Sequence, residues 1–174
     1  MKTALLSSAL ILGLSSPCFA EYNLRCDFED EEISKVTRIV KFPQYGIQME
    51  IPENLRAMLR NNGRIEILNN ATYRVFQCPK KDRVGRGYMS YHIYKAEGQY
   101  MKTVPIGKGL YFVVRSVKLG SEENHFFEMA IRVQTSVGLV DVSILEDRGA
   151  YSKEEAIEAA KEYLELAKMI SLIE

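Results

Sequence analysis

Residues 126–170 read FFEMAIRVQTSVGLVDVSILEDRGAYSKEEAIEAAKEYLELAKMI, and the period of their apolar side chains changes once along the way. Phe127, Met129, Ile131 and Val133 alternate with Glu128, Arg132 and Gln134; Val140, Val142 and Ile144 then alternate with Asp141 and Ser143. A period of two marks a strand with one buried face. The connection between the two runs is short, which implies an antiparallel hairpin. After Ser152 the spacing turns helical. Ser152 and Glu155 stand in capping-box order, and Ala156, Ala160, Tyr163, Ala167 and Ile170 share a stripe that Ile157 and Leu164 widen. Glu154, Glu158, Lys161, Glu165 and Lys168 fall away from it. The spacing predicts an amphipathic helix of about five turns, its apolar face laid on the sheet. Many strands followed by one long helix describe an α+β domain, with a mainly antiparallel sheet and the C-terminal helix packed on it.

Upstream, the strand signals continue. Val36 to Phe42 and Gly46 to Ile51 are β-type runs, and Ile47, Met49 and Ile51 alternate with Gln48 and Glu50. Asn54 to Arg60 and Arg64 to Leu68 flank Asn61-Asn62-Gly63, a hairpin signal of the type I′ kind. Tyr73 to Cys78 and Tyr88 to Tyr94 read as further strands; Leu110 to Lys118 is nearly continuously apolar, as a central strand would be. No repeat, low-complexity block or linker divides the chain.

The first 20 residues have a different character. Lys2 precedes an apolar run from Ala4 to Leu14, and Cys18-Phe19-Ala20 forms a small-x-small sequence before Glu21. That order is the pattern of a secretory signal over residues 1–20, leaving one domain over 21–174. The run is shorter than the ~20 residues a membrane span needs. Lipidation at Cys18 is the rival, but Pro17 directly before it and Leu14 four residues before it fit that signal poorly. The expected destination is the periplasm or the exterior.

Without residues 1–20 the chain carries 22 Lys+Arg against 23 Asp+Glu. A formal charge of −1 gives no electrostatic case for nucleic acid or an anionic membrane surface. Of three cysteines, Cys26 and Cys78 remain, and in an oxidising compartment an even pair reads as a structural disulfide. It would close a loop of roughly 50 residues, worth up to about 4 kcal/mol in the chain-entropy account.

Chemistry-bearing residues are sparse. His92 shares one strand face with Ser90, which invites a hydrolase reading, but no Gly-x-Ser-x-Gly elbow or orienting acid is legible; a surface or interface histidine is the plainer account. Glu122, Glu123, His125 and Glu128 form the densest group of potential metal ligands, yet zinc-type spacing is missing and a charged hairpin loop explains them. Lys80, Lys81, Arg83 and Arg86, around Gly85 and Gly87, could contact an anion or a partner. Tyr88, Tyr91, Tyr94, Tyr100 and Tyr111 crowd one third of the chain; any that are exposed, Tyr88 and Tyr94 first, would suit protein recognition. No cofactor or metal is expected.

Tyr45 to Leu59, YGIQMEIPENLRAML, resembles the opening of PsbP/Mog1-like domains: a glycine, an alternating strand, a proline and a short excursion. The two long apolar strands and capped helix that follow resemble those domains at their C-terminal end. The resemblance implies an antiparallel sheet between helices and a non-enzymatic binding or assembly role, with no site residue carried over. The expected function is therefore an exported, non-enzymatic protein-binding or assembly module. A periplasmic inhibitor or immunity protein, or a small hydrolase using Ser90 and His92, are the alternatives. Mass measurement of the exported chain under non-reducing conditions should give residues 21–174 with one internal disulfide; a lipid adduct or two free thiols would overturn that expectation.

Overall fold

The computed structural model describes residues 32–78, 90–96, 102–118, 125–144 and 152–173. Ten strands and two α-helices follow in the order β1 (Thr37–Phe42), β2 (Ile47–Pro52), β3 (Leu55–Leu59), β4 (Ile65–Asn69), α1 (Asn70–Gln77), β5 (Ser90–Lys95), β6 (Lys102–Gly107), β7 (Leu110–Lys118), β8 (His125–Thr135), β9 (Gly138–Ile144), α2 (Lys153–Lys168) and β10 (Ile170–Leu172). A 3-10 turn at Pro43–Tyr45 joins β1 to β2. The strands form two sheets, β1-β2-β10 and β3-β4-β5-β9-β8-β7-β6, and every neighbouring pair is antiparallel. The class is α+β.

The predicted alternation decides which faces are buried. Ile47, Met49 and Ile51 of β2 are completely inaccessible, while Gln48 and Glu50 between them are not buried. They join one buried cluster with Ile65 and Ile67 of β4, Tyr91 and Ile93 of β5, Met129, Ile131 and Val133 of β8, and Val140 and Val142 of β9. From α2 the cluster takes Ala159, Tyr163 and Leu166. Tyr163 reaches the long sheet: its ring lies 6.0 Å from that of Phe112, and the Ile144 N–H donates to its hydroxyl at 3.2 Å.

The opposite face of the long sheet carries buried residues too. Leu68, Val113, Ala130 and Asp141, out of phase with the core positions, are all 3% exposed or less. Asp141 was expected to face solvent. Instead it takes a two-pronged bond from Arg132 across the β8–β9 ladder, Nε to Oδ1 at 2.8 Å and an amino group to Oδ2 at 3.0 Å. A fully buried carboxylate is tolerable only with such a partner.

Several local expectations are corrected. Residues 73–78 are not a strand. Asn69 caps a helix there, its side chain accepting from the Thr72 N–H at 2.7 Å, and Ala71, Thr72 and Val75 turn inward. The hairpin at Asn61-Asn62-Gly63 exists, but its turn is not type I′, which would require a positive φ at Asn62; among the described residues only glycines have one. The Gly63 N–H bonds to the Arg60 carbonyl and the Arg60 N–H to that of Arg64, with Gly63 at φ 82°. That is a type I turn closed by a glycine bulge. The capping box at Ser152 is present, but the helix stops at Lys168, and Ile170 opens β10, opposite Met49. Ile157 and Leu164 point away from the core, 61% and 47% exposed, and Leu166 and Ala159 take the buried places. Lastly, β7 is second from an edge rather than central, with β6 outside it.

The Tyr163 hydroxyl meets the backbone of Ile144 while the ring fills the core, so the two roles separate. Tyr163→Phe should cost about 1 kcal/mol in urea unfolding, and Tyr163→Ala about 3–5 kcal/mol. Equal losses would contradict the placement.

Candidate binding site

Cross-strand register builds the site on the outer face of β4 and β5. Ile65 and Ile67 face the core, so Glu66 faces outward; Tyr91 and Ile93 do likewise, so His92 and Tyr94 share Glu66's face. The β4–β5 register sets Glu66 directly opposite His92. The His92 Nε2 lies 3.7 Å from Glu66 Oε1, beyond hydrogen-bond reach, and is buried with no bonding partner among the described residues. Glu66 instead accepts from Arg60 Nε at 2.6 Å, and an amino group of Arg60 meets the same oxygen. The Arg60 guanidinium sits 4.2 Å from the Phe76 ring centre, which ties α1 to this side of the sheet.

The histidine side chain, read from the sequence as a surface or interface residue, is 12% exposed. Burial holds its pKa below the ordinary 6.5; Glu66 pulls it back up, and Arg64 and Arg60 push it further down. The acid beside His92 that the sequence did not reveal is Glu66, 26 positions earlier. The pairing makes His92 a neutral member of a charged cluster rather than an exposed base.

Next to the cluster the sheet ends in an open cleft of about 640 Å³, lined by Tyr45, Leu59, Asn62, Arg64, Tyr94 and Lys95 among others. Tyr45 is fixed at the hairpin, its hydroxyl donating to the Gly63 carbonyl at 2.5 Å; burial raises its pKa, and Arg64 offsets part of that. The Arg64 guanidinium lies 5.1 Å from the Tyr94 ring centre. Neither Arg64 nor Lys95 has a carboxylate partner among the described residues. Leu59, at the rim, is 68% exposed. Two uncompensated cations, an aromatic face and an exposed leucine are the groups that recognise an acidic, partly apolar segment.

Of the site residues expected from sequence, the structure brings His92 and Tyr94 onto one face. Tyr88, Lys80, Lys81, Arg83, Arg86 and Cys26 lie outside the described residues. Cys78, at the end of α1, is disulfide-bonded, with its partner beyond the described residues. Tyr91 is a core residue and Tyr111 is half-buried. Of the residues weighed as metal ligands, Glu122 and Glu123 lie outside the described residues and Glu128 is ion-paired with Arg115. Arg64 and Lys95 were missed; the alternation of Ile65 and Ile67 places Arg64 outward, but only the strand pairing brings it to Tyr94.

No helix among the described residues is long and apolar enough to cross a membrane. A scan against protein-family models finds no match to the chain, and a search of curated proteins finds none either.

The half-buried histidine has a pH consequence. In the unfolded chain His92 takes up a proton as pH falls through about 6.5, whereas the folded chain resists that uptake. The unfolded state then binds more protons, so the His92 contribution is intact above that range and is lost below it. Between pH 7.5 and 5.5 the wild type should lose more stability than His92→Leu, and the His92 ring should titrate below 6.5 by NMR. A midpoint at or above 6.5 would refute the enclosed, neutral state.

Proposed function

We propose that the chain is an exported, non-enzymatic binding or assembly module that docks an acidic segment of another protein in the cleft beside Tyr94. The observation that carries this is the pairing of Arg64 and Lys95, both without a carboxylate partner among the described residues, around an aromatic wall at an open sheet end. Arginine and tyrosine are the side chains that most often anchor protein interfaces.

The reading includes a single domain over residues 21–174 with α2 packed on the sheet, supported by the one buried cluster that draws on both sheets and on α2. It includes export after removal of residues 1–20, supported by their charge and hydropathy pattern. It includes a Cys26–Cys78 pairing, supported by the oxidised state of Cys78. The likeness to PsbP/Mog1-like domains is consistent in outline, with an antiparallel sheet that has α1 beside one face and α2 beside the other.

A photoactivatable residue in place of Leu59 should give a discrete cross-linked adduct with a protein of the same compartment, and Lys95→Glu in the same chain should remove it. An identical residue in place of Glu154, exposed on α2, should give none. Absence of an adduct at Leu59, or one that survives Lys95→Glu unchanged, would overturn the proposal.

A further inference from the structure

The small sheet ends in a strand, β1, whose outer edge has no neighbouring strand among the described residues. The Glu53 N–H bonds to the Val36 carbonyl at 2.9 Å, and the β1–β2 register continues that pairing. Bonded pairs alternate along an antiparallel ladder. Arg38, Val40 and Phe42 therefore turn their backbone groups toward β2, and Thr37, Ile39 and Lys41 turn theirs outward. β1 is the edge of its sheet, and no hydrogen bond to an outward backbone group of these three residues occurs among the described residues. All three side chains are exposed, Ile39 at 63%, and Val36 beside them is 60% exposed. An edge of this length with Val36 and Ile39 uncovered is a template for another strand.

We propose that the strand added there is β1 of a second copy of this chain, paired antiparallel about a two-fold axis at Ile39. This is a surface separate from the cleft, and the inference does not rest on the cleft's role. The strand is complementary to itself. With Ile39 opposite its own counterpart, Thr37 faces Lys41, Arg38 faces Val40 and Val36 faces Phe42, so all seven positions from Val36 to Phe42 are used. No cation meets a cation, although Lys on an edge strand ordinarily guards against pairing. Centring the axis on Lys41 would set two lysines opposite each other, which is unfavourable, and centring it on Thr37 would set Ile39 against Lys35. The charges also match. The Thr37 hydroxyl donates to Glu50 Oε1 at 2.5 Å, and neither Glu50 nor Lys41 has an ion pair among the described residues. Pairing brings Lys41 of each copy opposite Thr37 of the other, on the side where Glu50's carboxylate is held. The product is one six-stranded sheet, β10-β2-β1 continued by the same strands of the second copy, a closed two-fold assembly.

Proline gives a clean test, because it deletes an N–H. At position 39 that N–H points outward, so Ile39→Pro blocks the added strand without removing a β1–β2 bond. By sedimentation equilibrium the exported chain should dimerise, and Ile39→Pro should weaken dimerisation by about tenfold or more, with an unchanged circular dichroism spectrum. Ile39→Cys should form an intermolecular disulfide on oxidation, since opposed bonded residues have Cα atoms about 5.5 Å apart; Val36→Cys should not. A wild type that stays monomeric would overturn the proposal. So would a dimer that Ile39→Pro leaves intact, or one cross-linked through Val36→Cys instead. Should a monomeric wild type pair β1 with an extended peptide of another protein, the edge is used but the occupant proposed here is wrong.

Discussion

Strand β2 is the constraint on which the rest of the structure depends. It is six residues long, its Ile47, Met49 and Ile51 are completely buried, and both of its edges are taken, by β1 and by β10. β10 lies more than 110 positions later in the chain. The end of α2 is set by this demand: the Met169 carbonyl accepts from Glu50 and the Gly46 carbonyl from Ile173, so the chain must leave the helix at Lys168 to reach β2. With its C-terminal end pinned there and Tyr163 pinned to β7 and β9, α2 has one position available. Gly46 adds a steric condition at the start of β2. It sits at φ 68°, and a Cβ there would come within 3.0 Å of Thr135 Cβ on β8, so the two sheets approach where only glycine fits.

Charge pairs on the outer face of the long sheet supply a second kind of order. Arg132–Asp141, Arg115–Glu128 and Arg60–Glu66 each join neighbouring strands or a hairpin's two arms. Their net contribution to stability is small or variable once desolvation is counted. Their effect on register is larger. A one-residue slip of β9 against β8 would bury Asp141 away from Arg132 and turn Val140 and Val142 to the wrong face, so pairing and hydrophobic pattern reject the same errors.

The strands were legible where apolar side chains repeat every second position on the core face: Ile47 to Ile51, Ile65 to Ile67, Met129 to Val133, Val140 to Val142. The capping box at Ser152 was legible because two side chains in fixed order satisfy orphan amides locally. What failed was decided elsewhere in the chain. Thr72, Tyr73, Val75 and Phe76 have strand-favouring side chains, and α1 forms because Asn69 caps it and Ala71 and Val75 find a surface on β3 and β4. Ile170 continues the helical spacing of Ala167, so its transfer to a strand could not be seen without β2. Asp141 looked exposed because its partner, Arg132, is a neighbour only after the hairpin folds. The same holds for the site: His92 and Tyr94 stood out in sequence by type, but Glu66, Arg64 and Lys95 join them only through the register of two strands.

The small sheet also has a mechanical property. β1 and β10 both run antiparallel to β2, and therefore parallel to each other, with the chain entering at Thr37 and leaving at Leu172 on opposite ends of the sheet. Tension applied between the two ends of the described chain would pull β1 and β10 in opposite directions along β2. The hydrogen bonds lie across that direction, so they would be loaded in shear and together, not peeled one at a time. The fifteen residues of the three strands would carry that load together.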